Sequence, residues 1–384
     1  MSLIPGSSLL DAVAIEDLAV GAAVLGTGGG GDPYIGKVIA TQAVEECGAV
    51  RLIGPDDLAD DDVVAVVSMS GAPTVMTEKI PNGTELARVY DRAAAWAGRS
   101  PAAILAVEIG GINALFPVAM AARTGTPLVD ADGMGRAFPE FQMTAFNVGG
   151  VTFGPRFVTD EKGNVLRIDG IDAHWIERIN RRALIAMGGS VITALCLTGA
   201  DVRRTAIRGS ISLALAIGES IRRARVEKRP WPELLLPICN GLPLFHGKVT
   251  SVERRISGGF VRGHAIVTGL GADRDEQIRL DFQNEHLLLR RRVGGTFAEV
   301  LGSTPDLLTV LDSETGSPIT TEAMRYGQRV TVVGIPCHPI WRTERGLHLA
   351  GPRSFGWDID YIPVEERAGA AGLLRERRYS CPGS

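Results

Sequence analysis

A chain of 384 residues exceeds what a single core usually serves, so two domains are the first expectation. With 45% hydrophobic and 22% charged residues and a net charge of -4, it has ample material for burial and no electrostatic footprint for nucleic acid. Five scattered cysteines without a C-x-x-C pair argue against a disulfide framework or a structural zinc site. No apolar run reaches membrane length and no basic-then-apolar leader opens the chain, so a cytoplasmic, membrane-free protein is expected.

The first predicted helix carries Ile15, Leu18, Ala22 and Leu25 at helical spacing and runs into Gly26-Thr27-Gly28-Gly29-Gly30-Gly31-Asp32-Pro33. A second helix follows with Ile35, Val38, Ile39 and Ala43; Asp32 suits its N-cap and Pro33 its first turn. Glycines at the positive end of a helix leave backbone amides uncovered, which suits an anionic or carbonyl-bearing ligand. A glycine turn that lets two helices pack closely explains the same residues equally well. No Gly-Lys-Ser/Thr follows and the preceding residues read as helix, so no nucleotide cofactor is expected.

Next, short apolar strands alternate with helices. Val63–Val67 ends in Ser68-Met69-Ser70-Gly71-Ala72-Pro73, and a helix spans about 83–97. Ala103–Val107 ends at Glu108-Ile109-Gly110-Gly111-Ile112-Asn113, and a helix spans 114–123. Pro127–Val129 ends at Asp130-Ala131-Asp132-Gly133-Met134-Gly135-Arg136. Such alternation is the pattern of an α/β layer with a largely parallel sheet. Residues 151–168 read as a β-hairpin around Asp160–Asn164, followed by a helix at 176–187, a strand at 191–197 and a helix at 207–224. Arg229-Pro230-Trp231-Pro232 is a break. From Phe245 to Pro363 the chain is β-rich, with no helix beyond a turn near 321–326. The expected fold class is therefore α/β: an N-terminal α/β domain (1–230), a β-rich C-terminal domain (240–365) and a loose tail (366–384).

Ligands in parallel α/β sheets bind at the carboxyl ends of the strands. That rule gathers Glu108, Asp130, Asp132 and Glu140 on one rim, with Arg136 as countercharge. Crowded carboxylates need a cation among them or a retained proton, and either serves hydrolysis; capping of a turn by Asp130 and Asp132 is the plainer account. A divalent metal would rest on Asp130 and Asp132 alone. Asn113 either caps the helix that follows it or turns its amide to a ligand carbonyl. In the second half Gln283-Asn284-Glu285-His286 interrupts an apolar alternation. In Cys337-His338-Pro339, adjacent side chains point oppositely, so His338 needs a partner from the first domain. The clusters Arg290–Arg292 and Arg375–Arg378 read as solvated faces.

The chain resembles the S-methyl-thiohydantoin desulfurase family, catalogued as a domain of unknown function beside hydantoinase and oxoprolinase genes. The resemblance runs from Ile15 to Pro363, on Leu25–Tyr34, Glu108–Gly111, Asp130–Glu140, Phe282–Glu285, Thr304–Leu307 and Gly351–Gly356. It implies two domains and hydrolysis of an S-methylated thiohydantoin to hydantoin and methanethiol. Within that reading Asp130 or Asp132 activates water, directly or through a divalent cation, and Glu108 contacts a ring N–H or shares the proton load. Thr27, Gly28, Gly29, Gly30, Gly31 and Asp32 hold a ring carbonyl or substituent carboxylate, Asn113 orients the ring and Arg136 balances charge. Asn284, Glu285 and His338 close the cleft from the second domain. Two other functions stay open: a non-catalytic binding or partner subunit of a hydantoinase/oxoprolinase system, and a hydrolase that opens the hydantoin ring. A homo-oligomer is expected from base rates.

Overall fold

A computed structural model describes residues 9–371 except 72–74, 76–78, 80 and 82. Helix α1 (Ala12–Leu25) starts at Asp11, whose carboxylate accepts from the Ala14 amide at 2.9 Å. The glycine loop separates it from α2 (Pro33–Cys47). There Asp32 accepts from the Tyr34 amide at 2.8 Å and Pro33 opens the first turn, the capping that the sequence predicts.

The first sheet has nine strands: β1 (Leu9–Leu10), β2 (Val50–Ile53), β3 (Val63–Gly71), β4 (Ala103–Ala106), β5 (Leu128–Asp132), β6 (Arg156–Thr159), β7 (Val165–Ile168), β8 (Ser190–Thr198) and β9 (Ile207–Arg208). They lie in the order β1-β2-β5-β4-β3-β8-β6-β7, with β9 against β5. Strands β2, β5, β4 and β3 are mutually parallel and form the centre; the flanking pairs are antiparallel. Val64–Val67 and Ala103–Ala106 are almost wholly buried, which explains why they read as unbroken apolar runs. Helices α3 (Thr84–Ala97), α4 (Leu115–Thr124), α5 (Ala173–Ala186) and α6 (Ser210–Glu227) belong to the same half. Helix α3 buries Leu86, Val89 and Ala93 on one face, each of the two larger side chains contributing about 1.5–3 kcal/mol.

The second sheet has seven strands: β10 (Leu242–Ser257), β11 (Phe260–Gly269), β12 (Gln277–Gln283), β13 (Glu285–Val293), β14 (Thr296–Ser303), β15 (Leu307–Asp312) and β16 (Arg329–Ile335). Their order is β14-β13-β12-β11-β10-β16-β15, antiparallel throughout, and the sheet curls into a half-barrel in which β13 and β14 approach β15. It has its own core around Phe245, Val267, Leu280, Leu289 and Val332. The larger core of the first half also takes in Leu307, Leu311, Val333, Ile335 and Trp341, so the two halves share buried surface.

Three readings change. Ile207 and Arg208 pair with β5 before α6 begins at Ser210, because β2 pairs only Leu128 and Val129 and leaves Ala131 and Asp132 as ladder partners for a β-branched residue. The 229–232 break is short: Pro232 sits in the first turn of a helix, Trp231–Cys239, where its missing N–H costs nothing. The β-rich half also contains helices at Glu344–Ala350 and Val364–Ala370, both packed against other elements of the fold and too short to show a full apolar period. The second enters the stretch read as tail; residues 372–384, with Arg375–Arg378, lie outside the described residues. Among the described residues no helix is long and apolar enough to cross a membrane.

Candidate active site at the seam of the two halves

The carboxyl ends of β3 and β4 open on a cavity of about 50 Å³, where the parallel-sheet rule places a ligand. Its wall includes Gly30, Glu108, Asn113 and Arg156 from the first half and Asn284 and Glu285 from the second. Glu108 lies two residues beyond the end of β4. Its Oε2 accepts from the Phe138 amide at 3.1 Å, and its Oε1 accepts from Nδ2 of Asn113. Asn113 lies in a short turn, Gly111–Ala114, and its Oδ1 accepts from the Met69 amide at 2.6 Å. It is thus neither the cap of α4 nor a free ligand donor but the bridge that fixes Glu108 against β3. Burial pushes the Glu108 carboxyl up to about 8 against the pull of those two donors.

Glu285 opens β13. Asn284 before it adopts a left-handed conformation (φ 59°) and exchanges both backbone and side-chain bonds with Val261, N to O at 2.7 Å and Oδ1 from N at 2.9 Å. That tight hairpin aims the Glu285 carboxyl at the first half. Its Oε2 has no hydrogen-bond partner among the described residues. Burial first, and the charge of Glu108 second, hold the Glu285 carboxyl well above the usual carboxylate range, with Arg136 pulling the other way. A Cβ on Gly29 would fall 2.1 Å from Glu285 Oε1, and one on Gly30 would fall 2.5 Å from the Gly110 carbonyl group. The glycines are there for close approach.

The loop binds through its carbonyls. Thr27 O accepts from the His286 amide at 2.8 Å, Gly28 O from the amide and hydroxyl of Thr321 at 2.9 and 3.0 Å, and Gly30 O from the Ile112 amide at 2.9 Å. Among Thr27–Asp32 only Gly30 lines the cavity, so the expected ligand cradle at Thr27, Gly28, Gly29, Gly31 and Asp32 is a structural seam instead. Asp32 serves α2 as its cap.

Arg136 belongs to that seam too. It is fully buried and donates to the carbonyls of Pro305 and Asp306, both at 2.8 Å, to Ala137 O at 3.0 Å and to Thr27 Oγ1 at 2.9 Å; its plane lies 4.5 Å from the Phe138 ring. It ties the halves together and does not face the cavity.

Asp132 Oδ2 accepts from the amides of Ile109, Met134 and Gly135 at 2.9, 2.9 and 2.8 Å, which shapes the loop after β5; burial raises its carboxyl to about 7 in spite of them. Asp130 accepts from the amide and hydroxyl of Ser212 at 2.9 and 2.6 Å in the first turn of α6. Neither lines the cavity. Ser212 engages both oxygens of Asp130 and three amides engage Asp132 Oδ2, while Asp132 Oδ1 is buried without a hydrogen-bond partner among the described residues. Among the described residues no group of three or more His, Cys, Asp or Glu could hold a divalent cation. His338 is exposed, with Nδ1 accepting from the Ile340 amide at 3.3 Å, and takes no part. The buried histidine is His286, whose Nδ1 donates to Leu308 O at 3.0 Å; burial takes its pKa down to about 3, so it is a neutral wedge against Gly28.

Sequence reasoning missed three charged residues of the wall: Arg156, Glu177 and Arg181. Arg156 starts β6 in a stretch legible only as a hairpin, and Glu177 and Arg181 are an i,i+4 pair on α5 that resembles any helical ion pair. No spacing signal marks them.

A mixed α/β layer joined to an antiparallel half-barrel, with two buried carboxyls meeting at the seam, defines a two-domain protein whose site needs both halves. The chain belongs to the S-Me-THD-like family: the N-terminal-domain model of that family matches residues 13–170 and the C-terminal-domain model residues 171–364. Family membership is consistent with a thiohydantoin-related function. A crystal structure of a protein from Chromobacterium violaceum shares the fold, with a TM-score of 0.74 and 22% identity over 93% of this chain and 100% of that one. No curated protein matches the sequence.

Proposed function

We propose that the protein is a hydrolase that desulfurises an S-methylated thiohydantoin, with Glu108 and Glu285 as the reacting pair. The observation that carries this reading is the pair itself: two buried carboxyls of raised pKa on one cavity wall, one from each half. Environments that push two carboxyls to different pKa values separate an acid from a base. The Asn113 and Phe138 donors favour the anion at Glu108, so Glu108 takes the proton from water. Glu285 Oε2 has no hydrogen-bond partner among the described residues, and burial outweighs the charge of Arg136 and the amide of Glu285 that favour its anion, so Glu285 keeps its proton for the ring nitrogen.

Water oxygen then bonds to ring C2, the C2–S bond breaks, and methanethiolate leaves with a proton to give hydantoin and methanethiol. The roles expected of Asp130 and Asp132 pass to this pair. At about 50 Å³ the cavity holds a few water-sized groups, so this reading requires more room for the ring than the structure shows. Thiol release from an S-methyl-thiohydantoin, followed for the wild type, Glu108→Gln and Glu285→Gln, tests the assignment. Release by the wild type and its loss in both variants is expected. A carbamoyl amino acid in place of free thiol would mean ring opening and overturn it, as would saturable binding without turnover, which fits a partner subunit.

A further inference from the structure

The cavity wall holds a charged group that the proposed chemistry does not use. Arg156 is 3% exposed and lies in the cavity wall. Its Nη2 donates to Ser70 Oγ at 2.8 Å and Thr193 Oγ1 at 2.9 Å, both neutral acceptors. Its Nε and Nη1 have no hydrogen-bond partner among the described residues. The nearest carboxylate, Glu177, is taken: its Oε1 accepts from Arg181 Nε at 2.7 Å and its Oε2 from the Phe141 amide at 3.3 Å. The guanidinium stacks 4.6 Å from the Phe141 ring, so its orientation is fixed. A buried guanidinium normally has an anion on its fork. Arg136, equally buried, fills its own with carbonyls. Arg156 is therefore built to receive an anion from outside the protein, and it is a cation on the same wall as Glu108 and Glu285.

We infer that Arg156 anchors a carboxylate carried on the substituent of the ring, which orients the substrate with its ring at Glu108 and Glu285. The inference rests on the cavity being the reaction site. A carboxylate suits a planar fork in so small a space, and the hydroxyls of Ser68, Ser70 and Thr193 hold the fork in place through Nη2.

Calorimetric titration of the full chain with 5-(carboxyalkyl)hydantoins and their primary amides tests it without requiring turnover. The wild type should bind the acid at least about tenfold tighter than the amide, Arg156→Gln should bring the two within about twofold, and Arg156→Lys should keep an intermediate preference. Equal binding of acid and amide by the wild type, binding of neither, or an undiminished preference in Arg156→Gln would overturn the anchor. Should Arg156→Gln fail to fold, an undiminished preference in Arg156→Lys would do so. Acid preference without thiol release would leave the anchor standing and overturn the desulfurase reading; thiol release at equal kcat/KM from acid and amide would do the reverse.

Discussion

The glycine seam and the cavity wall are neighbours, and both bury polar and charged groups, yet they treat them oppositely. In the seam Arg136, Thr27, Thr321 and the loop carbonyls satisfy one another across the two halves. In the wall Glu285 Oε2 and Arg156 Nε and Nη1 are left with hydrogen-bonding capacity and no protein partner. Asp132 and Glu108 differ in another way: three amides occupy Asp132 Oδ2 and its buried Oδ1 has no hydrogen-bond partner among the described residues, but it does not line the cavity, while Glu108 has one donor on each oxygen and does. Burying such groups unsatisfied costs stability, and a folded protein retains them where a ligand completes them. Unfilled capacity in the cavity wall, more than charge density, marks the candidate site; unpartnered atoms elsewhere, such as Asp132 Oδ1 and His286 Nε2, do not line it.

The sharpest way to break this comparison is at the reacting pair. Glu108→Gln and Glu285→Gln should each lower thiol release by ~10²–10⁴ while the fold survives, measured as kcat beside far-UV circular dichroism. On the seam side the effect should fall on stability. Arg136→Met should cost about 3–5 kcal/mol in urea unfolding because it strips partners from carbonyls in both halves. Arg156→Met should leave the midpoint unchanged or raised, since it removes a cation without a protein counterion. Equal losses for the two arginines would erase the distinction.

The pH dependence sharpens it further. Glu108 rises from 4.5 to about 8 and Asp132 from 3.8 to about 7 on folding, so between those limits the folded chain binds more protons than the unfolded one. Stability from these groups is thus fully present at low pH and lost as pH rises through about 7 to 8, and Glu108→Gln should flatten that slope in unfolding titrations. Thiol release should climb over the same range as Glu108 ionises, so activity and stability move in opposite directions. A smaller effect is expected at Gly29→Ala, where the new methyl must displace the Glu285 carboxyl at about 1–3 kcal/mol of strain, read as a lower melting temperature together with a lower kcat. The smallest concerns Asp130. Asp130→Asn should cost about 1 kcal/mol at the start of α6, and neither it nor chelation should change thiol release.

Local patterns made much of this protein legible without coordinates. The cap at Asp32 and Pro33, the buried strands Val63–Val67 and Ala103–Ala106 and the shift to a β-rich second half depend on periodicity and short-range sterics, which neighbouring residues settle among themselves. The same rules placed the rim at the ends of parallel strands and so brought Glu108 into view. They could not say which polar residues on that rim remain unsatisfied. Asp130 and Asp132 look as reactive as Glu108 in sequence, and only the fold assigns Asp130 to Ser212 and Asp132 to three amides. Glu285 and Arg156 reach the cavity from a hairpin in the other half and from a strand on the far side of β8. Hydrogen-bond satisfaction is a property of contacts between segments far apart in the chain, so the sequence by itself determined where a site could lie, and the tertiary structure decided which groups are free to act in it.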